Sequence, residues 1–245
     1  MNDLFQGYDE SQAGGASSGG FSQAPHDGPL VGQNGTEGER HFIALLEPSN
    51  NSGAHGIGLL TLGQNRLTVE VAASGLEPNQ PHPFHIHGFT DDRPSRLPNI
   101  DQDADNDGFV ESAEGATVFG SVLLALTEEG PPSDEAEPTA YPTANAEGDI
   151  RFERTFTFDP GNSEQASLFR ELTERLDERG LQFHGLDVPD NAGQGTGNEV
   201  TGTGGYIAGL PVANGIIREL PGEISAENVT LLGTVLPDVN DFLFG

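Results

Sequence analysis

The stretch of sequence that decides the fold class is Ile150-Arg151-Phe152-Glu153-Arg154-Thr155-Phe156-Thr157-Phe158. Large apolar side chains recur at nearly every second position, and charged or hydroxyl side chains lie between them. Because successive side chains of a strand point to opposite faces of a sheet, this period of two predicts a strand with one buried face.

Other segments of the chain carry the same strand signal. Residues 41–46, 56–62, 67–71, 83–89, 118–126 and 206–217 are short apolar or alternating runs separated by polar, Gly-rich or Pro-rich turns. One short helix is predicted where Leu168, Leu172 and Leu176 recur every four residues, with Asn162 or Ser163 as the cap and Gly180 after the end. The pattern predicts an all-β antiparallel barrel or sandwich with long loops.

The composition limits the possible partners. The 245 residues include 39 acidic and only 10 basic side chains, which gives a formal net charge of −29. This charge argues against nucleic acid and anionic membranes as partners, and it attracts divalent cations. The acidity fits a halophilic cytoplasm or a secreted, calcium-loaded protein, and the composition leaves both interpretations open.

Three domains are predicted along the chain. Residues 1–39 are expected to form a flexible arm, 40–220 the β domain, and 221–245 a C-terminal segment. The Asp-hydrophobic C-terminus resembles type I secretion substrates, although a docked terminal segment would look the same. There is no cysteine, so disulfides and thiolate metal sites are excluded, and no apolar run is long enough to predict membrane insertion.

The stretch 82–88 carries candidate metal ligands. On a strand His85 and His87 point to one face, whereas Phe84 and Ile86 point to the opposite, buried face. His184 lies in another short apolar run much later in the chain. Three histidines on two strands would suit copper or zinc.

Residues 103–114 match the twelve-residue EF-hand calcium loop. Gly108 stands at the sixth position, where a sharp turn needs a residue without a Cβ. The predicted calcium ligands are the side chains of Asp103, Asp105, Asp107, Glu111 and Glu114 and the main-chain carbonyl of Phe109. An acidic solvated loop is the alternative.

The flanks of this loop depart from an EF-hand. Pro94 and Pro98 disfavour an entering helix, and Gly115 followed by residues 117–119 predicts a strand. We therefore expect a calcium loop, residues 101–115, inserted between strands and stabilising the fold.

The order of these motifs resembles the copper/zinc superoxide dismutase domain and the related CHRD domain. In that family a Gly-Leu-x-Pro turn, here residues 75–78, leads into a histidine strand with the spacing of 82–87, and the run 211–217 is similar to the closing motif. The resemblance covers about residues 40–218 and implies an eight-stranded Greek-key β-barrel. It implies that His85, His87 and His184 bind copper and that His82 supports the site structurally.

The chain also departs from that family. The loop 90–116 contains no histidine, so the family's zinc site cannot be built and zinc is not expected. Pro211 stands where the family has its superoxide-guiding arginine, and Asn214 stands where the family has one cysteine of its disulfide. Arg93 and Arg96 are the nearest basic residues after the histidine strand.

Two functions follow as expectations. One is a secreted, calcium-stabilised copper protein that dismutates superoxide, with metal ions and superoxide as its partners. The other is a non-enzymatic, calcium-dependent matrix, surface-layer or adhesive protein whose partners are further copies of itself or surface components.

Overall fold

The computed structural model describes residues 38–196 and 199–222. Apart from two residues each, the predicted N-terminal arm and C-terminal segment lie outside these ranges. Within them the strands are β1 (Arg40–Pro48), β2 (His55–Gly63), β3 (Arg66–Ser74), β4 (Phe84–Gly88), β5 (Ser121–Ala125), β6 (Ile150–Thr157), β7 (Gly180–Val188) and β8 (Gly205–Glu219). The helices are α1 (Ser112–Phe119) and α2 (Ser163–Thr173), with 3₁₀ turns at Ile100–Gln102, Pro138–Ala140 and Leu176–Glu178.

The eight strands form one antiparallel sheet in the order β5-β4-β7-β8-β1-β2-β3-β6. β1, β2 and β3 follow one another as neighbours, but the chain then crosses to the other end of the sheet for β4 and β5. β6 returns beside β3, and β7 returns beside β4. These crossings are Greek-key connections, and the all-β Greek-key barrel or sandwich is confirmed.

One apolar core joins the two ends of this sheet. Phe84 of β4 stacks on Phe183 of β7, with ring centroids 3.8 Å apart, and meets Phe152 of β6 edge-on at 5.8 Å. Along β6, Phe152 and Phe156 are buried while Arg151 is exposed, as the alternation predicts. The core therefore fixes one face of β4 and leaves the opposite face for polar residues.

The segment after the carboxylate loop differs from the prediction. Residues 112–119 form helix α1, and the strand expected from Val118 begins at Ser121. The main-chain N–H of Glu111 donates to Glu114 Oε2 at 3.0 Å, which closes the first turn. Gly120 ends the helix with φ +93°, and a Cβ there would lie 2.3 Å from the carbonyl carbon of Gly88. The helix is short, and its Thr-Val-Phe end has strand propensity, which explains the wrong prediction.

Helix α2 begins at the predicted cap. The side chain of Asn162 accepts hydrogen bonds from the N–H groups of Glu164 and Gln165. The helix ends at Thr173, and Leu176 reaches the core from the 3₁₀ turn that follows. No helix in the described ranges is long and apolar enough to cross a membrane.

Candidate metal centre

The first two histidines of the centre lie on β4. Phe84 and Ile86 are fully buried in the core, so His85 and His87 project from the opposite face of the strand. His87 is buried, whereas His85 keeps partial access to solvent. β4 lies between β5 and β7, and the β4–β5 register shifts between Ile86 and His87. Such irregularities re-aim side chains.

The third histidine comes from the neighbouring strand. β7 pairs with β4, and His184 projects to the same side because Phe183 is held in the core. The β7–β8 register shifts on both sides of His184. The ring centroid of His184 lies 5.0 Å from that of His85 and 5.8 Å from that of His87. The fold thus brings together the three histidines that the sequence singles out.

Each histidine has one ring nitrogen held by the protein. His85 Nε2 lies 2.8 Å from the Tyr141 hydroxyl. His87 Nδ1 donates to the carbonyl of Gly120 at 3.1 Å, and His184 Nδ1 donates to the carbonyl of Gly209 at 2.6 Å. Since a carbonyl oxygen only accepts, the protons of His87 and His184 are assigned to Nδ1. The opposite nitrogens therefore carry free lone pairs.

The other three nitrogens of the cluster could bind a metal ion. His85 Nδ1, His87 Nε2 and His184 Nε2 are buried and have no hydrogen-bond partner among the residues that the structure describes. One ligand nitrogen from each ring lies within 4.8 Å of the others. Nitrogens sharing one ion at about 2.0 Å stand roughly 3.3 Å apart, so small ring movements suffice to bind it. A buried polar atom without a partner is costly, and a shared metal ion satisfies all three atoms.

The electrostatics of the cluster favour neutral rings. Burial, followed by the neighbouring His184 and His87, lowers the pKa of His85 to about 2. Burial and then His184 lower the pKa of His87 to about 3, against a raising effect of the Gly120 carbonyl. Burial also lowers the pKa of His184 to about 4. Neutral imidazole is the form that binds transition metals.

His82 lies beneath the cluster and contacts it through the main chain. Its Nδ1 is 2.8 Å from the carbonyl oxygen of His184, and its Nε2 is 3.0 Å from that of Glu77. The ring is fully buried and lies edge-on to Tyr206. His82 thereby ties the turn before β4 to the strand that carries His184.

Three groups that hydrogen-bond to the histidines could not be predicted from the sequence. Tyr141 comes from the acidic loop between β5 and β6. The carbonyl of Gly120 follows the end of α1, and the carbonyl of Gly209 lies within β8. All three act across the fold, so no local pattern marks them. An isolated bridge between Pro81 and Thr143 holds the Tyr141 segment beside the start of the histidine strand.

The carboxylate loop, residues 103–114, forms a tight turn. Asp103 accepts hydrogen bonds from the N–H groups of Asp107 and Gly108 at 3.1 and 2.9 Å. Asn106 and Gly108 have positive φ angles of 61° and 92°, which the turn requires. The carboxylates of Asp103, Asp105 and Glu114 offer oxygens within 4.8 Å of one another, so this part of the loop can bind a metal ion.

Two further predicted ligands border this group. Glu111 is 1% exposed; its Oε1 accepts from the N–H of Val200 at 2.7 Å, and its Oε2 has no hydrogen-bond partner. Asp107 Oδ2 is likewise buried without a partner. Burial and the neighbouring carboxylates raise the pKa of both groups. A buried carboxylate oxygen without a donor is where a cation would bind.

Phe109 contributes to the loop mainly through packing. Its N–H donates to Asp107 Oδ1 at 2.8 Å, and its ring packs against Val188, Val200 and Leu210. The calcium contact expected from its carbonyl stays a prediction.

Of the two basic residues after the histidine strand, Arg93 is held by its neighbours and Arg96 is exposed. The Arg93 side chain pairs with Asp91 at 2.9 Å and lies over the ring of Phe89. Pro211, which stands where the resembling family has its superoxide-guiding arginine, is buried and pairs with His184 across β7 and β8.

Neither a protein-family model nor a curated protein matches this sequence.

Proposed function

We propose that this chain is a calcium-stabilised copper protein of superoxide dismutase-like architecture, in which His85, His87 and His184 hold one copper ion. The observation that carries the proposal is a cluster in which one nitrogen of each ring lies within 4.8 Å of the others and in which three buried ring nitrogens have no hydrogen-bond partner among the described residues. An imidazole donor set suits copper in both common oxidation states, and it also suits zinc, so the identity of the ion needs a direct test.

The protein residues prepare this site in three ways. Burial keeps the rings neutral, Tyr141 and two carbonyls fix their orientation, and His85 is the least buried of the three ligands. When bound, copper supplies a one-electron couple that oxidises one superoxide to dioxygen and reduces a second, with two protons, to hydrogen peroxide. The resemblance and this donor set support the proposal of dismutase activity.

We further propose that the protein acts outside the cell. The carboxylate loop would bind calcium, which extracellular modules bind at about 10⁻⁴–10⁻³ M. With five carboxylates in twelve residues, the loop needs a cation to offset their mutual repulsion.

A second candidate function has one observation in its favour. Superoxide is an anion, the chain has a net charge of −29, and Arg93 is neutralised by Asp91. A calcium-dependent structural or adhesive protein that binds metal without turnover fits these charges.

Metal analysis and a superoxide assay separate the two candidates. The chain is stripped of metal, loaded with copper or zinc, and tested for binding stoichiometry and for dismutation above that of free copper. We expect one copper per chain and turnover that His85→Ala abolishes. His55→Ala, an exposed histidine at the start of β2, is the matched control and should behave as the wild type. One bound copper without turnover would favour the structural candidate. Binding of zinc but not copper would overturn the assignment of copper, and binding of neither ion would overturn the metal centre.

A further inference from the structure

Helix α1 connects the carboxylate loop to the histidine cluster. Its first turn belongs to the loop, because Glu114 accepts hydrogen bonds from the N–H groups of Ala104 and Glu111 at 2.7 and 3.0 Å. Its last residue, Phe119, and the following Gly120 pack against β4 beside His87. The helix has only eight residues, so a shift at one end is transmitted to the other.

The start of α1 fixes the main-chain carbonyl that accepts a hydrogen bond from His184. Ser112 Oγ donates to the carbonyl of Gly209 at 2.6 Å, and the same oxygen accepts from His184 Nδ1 at 2.6 Å. The Asn50 side chain strengthens this junction, since its Nδ2 donates both to the carbonyl of Val110 in the loop and to that of Pro211 in β8. The loop is thereby fastened to the segment of β8 that lies opposite His184.

The end of α1 fixes the main-chain carbonyl that accepts a hydrogen bond from His87. The carbonyl of Gly120 accepts from His87 Nδ1 at 3.1 Å, and the Phe119 ring lies 5.4 Å from the His87 ring. Gly120 lies so close to Gly88 that a Cβ would clash with its main chain, and the Phe119 carbonyl accepts from Ser95 Oγ at 2.7 Å. Two of the three histidines are thus oriented from the two ends of one helix.

We infer that binding of calcium in the carboxylate loop raises the metal affinity of the histidine cluster, by holding α1 and the two carbonyls that orient His87 and His184. Ser112 is the positioning residue at the loop end of this connection. The inference rests on the proposed function, because it assigns regulation to the same centre. The second observation that points to a cation in the loop is Glu111, which is 1% exposed and has an Oε2 without a hydrogen-bond partner.

The physical basis is the orientation of ligand rings by their outer hydrogen bonds. A carbonyl that accepts from Nδ1 fixes the tautomer and the direction of the Nε2 lone pair, and losing such a partner typically costs about 10–100-fold in metal affinity. Without a cation the five carboxylates repel one another, which loosens the first turn of α1. By linkage, the metal in the histidine cluster must raise calcium affinity by the same factor.

The experiment measures copper affinity of the full chain, stripped of both ions, by competition with a copper chelator. Titrations are run in calcium, in magnesium at equal concentration and in neither ion, and the binding seen in His85→Ala is subtracted to remove copper held elsewhere. We expect calcium to raise the copper affinity of the wild type by about tenfold. Ser112→Ala should reduce this gain to about threefold or less while still binding calcium.

Thr117→Ala is the matched control, since it also removes a hydroxyl from α1. Thr117 Oγ1 bonds only within the helix, to the carbonyl of Glu114, so this variant should keep the full calcium gain. The imidazole ¹⁵N spectrum of the copper-free chain gives a second readout, because calcium should protect the Nδ1 protons of His87 and His184 from exchange. This protection is measured without copper, so it can also be followed in any variant whose copper affinity is low.

The outcomes are distinguishable. A calcium gain that Ser112→Ala reduces and Thr117→Ala keeps supports the connection. Copper and calcium that both bind, with the copper affinity unchanged by calcium, overturn the connection and leave the proposed function intact. A chain that binds no copper overturns both, and a chain that binds copper but no calcium overturns the connection together with the calcium part of the proposal.

Discussion

The histidine cluster and the carboxylate loop differ in where their ligands come from. The histidines are neutral, lie on two strands far apart in sequence, and each is held by a second contact to the protein. The carboxylates lie within twelve consecutive residues and repel one another. The fold assembles the first site from two strands, whereas we expect a bound cation to stabilise the second by offsetting the repulsion among its carboxylates. If so, preorganisation on strands and stabilisation by the ligand are combined in one domain.

The largest effect should come from removing a ligand of the preformed site. We predict that His87→Ala lowers copper affinity by more than about 100-fold, because losing an outer-sphere partner alone costs about 10–100-fold. In copper-free protein its calcium affinity should stay within about threefold of the wild type, since no loop ligand is changed. Calorimetric titration with each ion measures both values. A parallel loss of calcium and copper binding would contradict the separation of the two sites.

The second-largest effect is expected in the carboxylate loop. Glu114→Gln removes a charge at the last position of the loop and should weaken calcium binding by about tenfold or more. In the wild type, calcium at 100 times its Kd stabilises by about 2.7 kcal/mol, or roughly 5–10 °C in melting temperature, and the variant should lose most of this gain.

Thermal melts with and without calcium measure this difference. Glu128→Gln changes an exposed acid outside the loop and should keep the full gain. If Glu114→Gln kept it as well, the loop would be a solvated acidic turn.

A smaller effect is expected at the contact that the sequence did not reveal. Tyr141→Phe removes the hydroxyl 2.8 Å from His85 Nε2 and should lower copper affinity by about tenfold, without changing calcium affinity. The ring remains, so its packing on the cluster is kept. Copper competition titrations measure the change. An affinity equal to that of the wild type would show that β4 alone fixes His85.

These two sites also show what a sequence can predict. The spacing of His85 and His87 and the EF-type pattern of 103–114 are local, and both can be read directly from the residues. The partnership of His184 with β4 depends on strand pairing across nearly a hundred residues. The short apolar run around His184 suggested it, and the family resemblance implied it. Tyr141 acts through its side-chain hydroxyl and Gly209 through its main-chain carbonyl, and both reach the cluster from elements distant in sequence, so no local pattern predicts them.

The fold was predictable for the same reason. Alternation along β3 and β6 reports burial directly, so the strands could be placed from side-chain chemistry. Helix α1 was missed because its sequence, SAEGATVF, has weak helix propensity and gains its stability from the Glu111–Glu114 turn and the packing of Phe119. The element that joins the two sites was therefore the least visible in the sequence.

The smallest expected effect concerns how the stability of the ion-free protein depends on pH. The two sites should change this dependence in opposite directions. The folded-state pKa values of His85, His87 and His184 are lowered to about 2, 3 and 4, so between these values and about 6.5 the unfolded chain binds more protons. Stability should therefore fall as pH drops below 6.5, by roughly 1 kcal/mol per histidine at pH 5.5. Asp107 and Glu111 have raised pKa values, so their protonation favours the folded state and opposes this loss at lower pH.

Urea unfolding at pH 7.5 and 5.5 tests the sign and size of this dependence. His85→Asn changes the least buried of the three ligands and should make the loss between the two pH values smaller by roughly 1 kcal/mol. Equal losses in His85→Asn and the wild type would mean that the rings are not held neutral by burial, and the contrast between a neutral preformed site and a charged loop would fail.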